Sequence, residues 1–200
     1  MNPTHLVMHG LAVKKHASPE AIAEISGLDV AEVRPILAKL VEARRVAEAG
    51  GKYLLTPPAR MSLDSDYSRL YANVRANPDF KAGYEGFERL NGALKQLVTD
   101  WQTMPVGRER VPNDHGDENY DAKIIDRLGD LHERAAPVLK RLASVLPRFA
   151  AYERKLQAAL EKSEDGAIQW ISDAKIDSYH TLWFELHEDL LRLMGREREE

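Results

Sequence analysis

Between residues 18 and 45 the chain spells two helices joined by a turn, and no other stretch restricts the fold as tightly. Ser18-Pro19-Glu20 is a helix start: a serine oxygen caps free amides, proline needs no donor at the first helical position, and a carboxylate complements the helix dipole. Ile22 and Ile25 share the face this helix buries, and Gly27 ends it where a left-handed residue is wanted. Asp29-Val30-Ala31-Glu32 then restarts the chain with a capping-box pattern. Val33, Leu37, Leu40 and Val41 recur at i, i+4, i+7 and i+8, which makes one apolar stripe, with Arg34, Lys39 and Arg44 off it. Upstream, Leu6 to Leu11 is a short apolar run with Val7 and Leu11 four apart, suited to a first helix. Downstream, Val46 to Glu48 and Lys52 to Leu55 flank Gly50-Gly51, a pair that accepts the positive φ values of a tight hairpin turn.

Helix, turn, helix and hairpin in this order resemble the MarR-like winged helix family. The resemblance runs through Ser18 to Gly27, Val33 to Arg45, and Tyr53-Leu54-Leu55-Thr56 followed by Ala59-Arg60. It implies a winged helix-turn-helix domain over residues 1–60, with a recognition helix in the major groove and a wing at the flanking minor groove. The contact residues it implies are Arg34, Lys39, Arg44, Arg45 and Lys52. Helices that read bases usually offer Arg, Asn, Gln, Ser or Thr from their first turns; this one offers Ala31, Glu32 and Pro35.

Two hundred residues are enough for two small domains, each with its own core. The formal charge of −4 divides unevenly, +2 over residues 1–60 and −6 over residues 61–200, so only the first part faces nucleic acid without repulsion. Without cysteine there is no disulfide framework, thiolate zinc site or cysteine nucleophile, and any metal site must use His, Asp and Glu. No run has the length and apolarity of a membrane span, and Met1-Asn2-Pro3-Thr4-His5 is unlike a signal peptide, so the expected location is cytoplasmic.

Pro57-Pro58 breaks the chain, and from Leu63 onward the spacing is helical, which predicts an all-α region over residues 61–200 and a mainly α protein. Helices are predicted near 63–76, 79–101, 118–134, 136–145, 147–162 and 176–195, with a polar loop near 103–117. Phe80, Tyr84, Phe87, Leu90, Leu94 and Leu97 recur every three or four residues and mark one long amphipathic helix, a core or dimer face. MarR-like proteins dimerise through helices beside the winged domain, so the resemblance implies a homodimer.

Polar residues with chemical potential gather at Asp114-His115 through Tyr120-Asp121 and at Asp177 through Asp189. On a helix His180, Trp183, Phe184 and His187 fall on one side, Asp177 lies a turn before His180, and His132 on another helix is placed to join them. With Trp101, Asp114, His115 and Asp121 these residues are candidates for a small-molecule or metal pocket in a helical bundle. The alternative is structural: Asp117 or Asp121 caps the helix near 118, and His and Glu satisfy one another at a core edge. The His-Glu-x-x-His spacing is absent, as are a Gly-rich phosphate loop, a nucleophile elbow and a kinase signature, so neither a cofactor nor an enzyme acting alone is expected.

A second resemblance spans nearly the whole chain. It runs through Thr99-Asp100-Trp101, Asp114-His115 to Tyr120-Asp121, Leu146-Pro147-Arg148-Phe149, and Asp177 to Leu190. These segments are similar to bacterial, largely actinobacterial, proteins that pair a winged helix with a helical region, some of them companions of phosphoenolpyruvate-synthase-like dikinases. Two readings follow: a dimeric, ligand-responsive, DNA-binding transcription regulator, or a non-catalytic subunit of a dikinase-type phosphotransferase whose winged helix docks on protein. A metal-dependent enzyme is a third, more remote one.

Overall fold

The computed structural model describes residues 2–196, which form ten α-helices and two antiparallel hairpins. They fall into two compact units, one built from residues 2–78, 146–151 and 185–196, the other from residues 79–145 and 152–184.

The first unit opens with α1 (Pro3–Lys14), whose first turn is closed by the Asn2 side chain accepting from the Thr4 amide at 2.9 Å. Helix α2 (Pro19–Ser26) starts as its sequence predicts: Ser18 accepts from the Ala21 amide at 3.3 Å, and Gly27 ends the helix at φ 72°. In α3 (Val30–Glu42), Asp29 and Glu32 form the reciprocal capping box, and the helix runs on through Pro35. Pro35 lies on the exposed side, where the carbonyl that loses its amide partner is reached by water. Val33, Leu37 and Leu40 are buried beside Val7, Leu11, Ile22 and Ile25, while Val41 is half-buried. Truncating a fully buried Leu37 or Ile22 to alanine costs about 2 to 5 kcal/mol, so this stripe holds the helix to the unit.

Strands β1 (Val46–Ala49) and β2 (Lys52–Leu55) pair with Val46 opposite Leu55 and Ala49 opposite Lys52. Gly50 and Gly51, at φ 59° and 76°, make the two-residue turn that this register requires. Ala17, ahead of α2, bridges to Tyr53 and ties the hairpin to the helices.

Pro57-Pro58 does not interrupt helix here. Both residues stand in the first turn of α4 (Pro57–Leu70), where a missing amide leaves nothing unsatisfied. The helix predicted over 63–76 therefore begins earlier, ends at Leu70, and resumes as the short α5 (Ala72–Ala76).

The second unit is carried by α6 (Pro78–Gln102) and α7 (Glu118–Val145). Phe80, Tyr84, Phe87, Leu90, Leu94 and Leu97 are all buried, so the long apolar stripe is core. Gly83 and Gly86 lie where α6 faces Leu142 and Val138 of α7; an added Cβ would stand 2.8 Å and 3.0 Å from their methyls. Helix α7 is continuous where two helices, 118–134 and 136–145, are expected, because it continues through Pro137, an exposed position.

The all-α expectation for residues 61–200 is corrected at 103–112. There β3 (Thr103–Val106) and β4 (Glu109–Pro112) form a second hairpin around Gly107 at φ 64°. Neither strand has a buried residue, so the pair carries no inside/outside alternation for periodicity to detect. A 3-10 turn (Pro147–Phe149) belongs to the first unit, and α8 (Ala150–Glu164), α9 (Gln169–Ser172) and α10 (Tyr179–Met194) complete the chain. Among the described residues no helix is long and apolar enough to cross a membrane.

Candidate functional site

Helix α3 presents an unpacked outer surface. Ala31, Glu32, Arg34, Pro35, Ala38, Lys39 and Glu42 are exposed, as are the hairpin tip and Lys52. Arg34 is committed to Glu20 at 2.5 Å, and Glu32 to the Asp29 amide at 3.1 Å. Arg44, at φ 56°, turns the chain out of α3, and its carbonyl accepts from the Thr56 hydroxyl. Arg45 donates to Ser62 Oγ at 3.2 Å, which draws it toward α4. The surface carries both signs of charge: the cations of Lys39, Arg44 and Lys52 stand against Glu42 and Glu48, all of them exposed.

The candidates in the second unit form two small groups. In one, the Trp101 and His115 rings lie 4.3 Å apart, and His115 Nδ1 contacts Asp121 Oδ2 at 2.9 Å. Asn113 donates to Asp121 Oδ1 at 2.8 Å and to the Trp101 carbonyl at 3.0 Å, and accepts from the His115 amide, which fixes His115 at φ 61°. Asp114 accepts from the Gly116 amide and shapes the same turn. In the other, His132 Nδ1 meets the Tyr179 hydroxyl at 3.1 Å, Tyr179 stacks on Trp183, and Trp183 Nε1 donates to Asn91 Oδ1 at 3.1 Å. Burial lowers the His132 pKa, nearby Glu153, Glu161 and Glu164 opposing it in part. Asp177 pairs with Lys155 at 2.5 Å. His180 is half-buried, and His187 belongs to the first unit. Among the described residues no three His, Asp or Glu side chains are grouped so as to hold a metal ion.

The most buried polar chemistry lies elsewhere, in the first unit, where His9 from the apolar run Leu6 to Leu11 meets Asp189 from the polar segment Asp177 through Asp189. His9 of α1 and Asp189 of α10 are both fully buried. Arg148, in the 3-10 turn, engages both Asp189 oxygens, Nη2 reaching Oδ1 at 2.7 Å and Nη1 bonding Oδ2. His9 Nε2 lies 3.0 Å from Asp189 Oδ1, and Nδ1 lies 2.6 Å from the Tyr67 hydroxyl. Nε2 thus lies between an acceptor, Asp189 Oδ1, and a donor, Arg148 Nη2 at 3.1 Å, while Nδ1 faces a hydroxyl that can donate or accept. His5, one turn earlier, meets the Tyr71 hydroxyl at 3.2 Å.

Burial opposes every charge in this cluster, and pairing decides which survives. Burial alone would raise the Asp189 pKa, but Arg148 and His9 together hold it below the carboxylate range. For His9 burial wins over Asp189, with Arg148 adding to the lowering, and the imidazole is neutral. Burial, aided by His9, pushes His5 down to about 4. The Tyr67 and Tyr71 phenols are raised by burial and stay protonated. The signal that could have found this cluster is a histidine set inside the apolar run Leu6 to Leu11 and an aspartate directly before Leu190-Leu191. Nothing in the spacing showed that they meet.

Comparison with family models, with curated proteins and with solved structures gives no match to this chain.

Proposed function

We propose that residues 1–60, within the first unit, are a MarR-like winged helix domain and that the protein is a DNA-binding transcription regulator, acting as a homodimer and responding to a small-molecule effector. The observation that supports it best is the bare outer side of α3, framed by the Gly27 turn on one side and the Gly50-Gly51 hairpin on the other. A helix held by one buried stripe, with its opposite side exposed next to a protruding hairpin, has the form of a groove-reading element and its wing. Lys39, Arg44 and Lys52 are the phosphate contacts in this reading, with Arg45 held against α4 and Arg34 released only by breaking its pair with Glu20.

The test is selection of genomic fragments by the full-length protein at low salt, followed by fluorescence anisotropy on the recovered sequence. A preferred, two-fold symmetric site is expected. Lys39→Ala together with Lys52→Ala should weaken binding on every sequence and reduce the slope of log K against log salt by about 2. Failure to recover any preferred sequence removes the proposal.

A second reading has an observation of its own. With Arg34 neutralised by Glu20 and Glu32 exposed in the first turn of α3, the outer surface is closer to neutral than basic, as suits docking on protein. In this reading the chain is a non-catalytic subunit of a dikinase-type phosphotransferase. Co-expression with a candidate dikinase should then give one complex by size-exclusion chromatography, and separate elution with unchanged dikinase activity would dismiss it.

A further inference from the structure

In the first unit the second and third turns of α4, the short α5 and the end of α10 line a half-open cavity of about 520 Å³. This lies within the range of sites that take small organic ligands. Its charges are unevenly matched. Arg192 is balanced by Asp64, with Nη1 at 3.1 Å, and by Glu188, 2.7 Å from Nε. Tyr67 offers its ring, because its hydroxyl is committed to His9. Arg75 differs from Arg192: its Nε donates to the Leu193 carbonyl at 2.5 Å, and it forms no ion pair with a carboxylate among the described residues.

The position of Arg75 is fixed by a glycine. A Cβ at Gly195 would stand 3.1 Å from Cζ, from Nη1 and from Nη2 of Arg75 alike. Equal distances to all three atoms mean that the guanidinium lies flat over the place where a side chain would begin. Gly195, at φ 65°, leaves that place open and also closes the helix. The result is a planar fork, half-buried and held at its Nε, with its two terminal nitrogens left for a ligand. A fork of this kind matches a carboxylate through two parallel hydrogen bonds.

We propose that this cavity binds a small organic carboxylate, with Arg75 as the anchor and Leu191 and the Tyr67 ring as the apolar wall. A single negative charge suits the site better than a doubly charged phosphate, because Asp64 and Glu188 also line it and offset two of its three arginines, Arg75, Arg192 and Arg196. As an effector site it rests on the regulator reading. As a binding site it does not, and it is tested on protein without DNA, so the two fail separately.

The experiment is calorimetric titration of the full-length protein with benzoate, with neutral benzamide and with inorganic phosphate. Benzoate should bind at least about tenfold more tightly than either of the others, a gap that corresponds to about 1.4 kcal/mol. Arg75→Met should lose at least about tenfold in benzoate affinity, and Arg75→Lys, which keeps the charge and loses the fork, should fall between. Ser68→Phe, which fills the cavity from an exposed position of α4, should also abolish binding while leaving the thermal melt of the free protein in place. Absence of benzoate binding, equal affinity for benzamide, or wild-type affinity in either Arg75→Met or Ser68→Phe would overturn the assignment. Phosphate binding tighter than benzoate would overturn the carboxylate.

Discussion

Asp189 is a carboxylate taken wholly out of water, and it is tolerable there only because Arg148 and His9 meet both of its oxygens. Removing one partner of such a set is worse than removing all of it. Asp189→Asn leaves the Arg148 guanidinium largely buried without its counter-charge and should destabilise the protein by about 3 to 5 kcal/mol. Denaturant titration measures the loss; a cost under about 1 kcal/mol would mean that the charge is better hydrated than its burial indicates. The histidines give the same cluster a pH signature. His5 and His9 have folded pKa values lowered below the usual 6.5, so the unfolded chain binds more protons than the folded one as pH falls. Their stabilising effect is whole above pH 6.5 and is lost progressively below it, at up to about 1.4 kcal/mol per pH unit for each histidine. Asp189, also lowered, adds a loss of the same sign at more acidic pH. Melting temperature should therefore fall steadily from pH 7 toward pH 4, and His5→Gln should flatten the upper part of that fall.

Helices α6 and α7 approach so closely at Gly83 that the next carbon atom has no room. A methyl there would stand 2.8 Å from Leu142 Cδ2 and 2.9 Å from Leu142 Cγ, in a side chain that is itself fully buried. Gly83→Ala should therefore destabilise by about 1 to 3 kcal/mol even though alanine is the better helix former. Gly92, on the same helix, has nothing within 4 Å of the equivalent position, so Gly92→Ala should stabilise by about 0.5 to 1 kcal/mol. Opposite signs from one substitution on one helix, read by chemical denaturation, separate packing from propensity. Elements whose signals are local were legible in advance: Ser18, Gly27, Asp29 and Gly50-Gly51 mark the starts and stops of α2, α3 and the first hairpin where they occur. Proline was misleading twice in the same direction. Pro57-Pro58 starts a helix where a break is expected, and Pro137 lies inside one, because the effect of a missing amide depends on whether its carbonyl partner is already free or reaches water.

Across the whole chain, what could be read ahead of the structure was the order of elements through the first hairpin and the faces that the long helices bury. What could not be read was which polar residues meet. His9 and Asp189 are far apart in sequence and come together only because α1 and the later turns of α10 belong to one unit. His180 and His187, on one side of one helix, belong to different units. Helical periodicity gives the face of a residue and not its neighbour, so the Asp177 to Asp189 segment looked like one site while its members are engaged separately. The same limit applies to Arg75 and Gly195, whose contact is invisible to any local pattern.

The regulator reading depends on whether the exposed side of α3 meets DNA, and salt dependence is the most direct measure of that. Binding of the selected genomic fragment should be followed by anisotropy between about 50 mM and 200 mM salt, for the wild type and for Lys39→Ala with Lys52→Ala. The account predicts a preferred site, a steep loss of affinity across that range, and a slope shallower by about 2 in the double variant. No preferred site, or a slope the two substitutions leave unchanged, would contradict it.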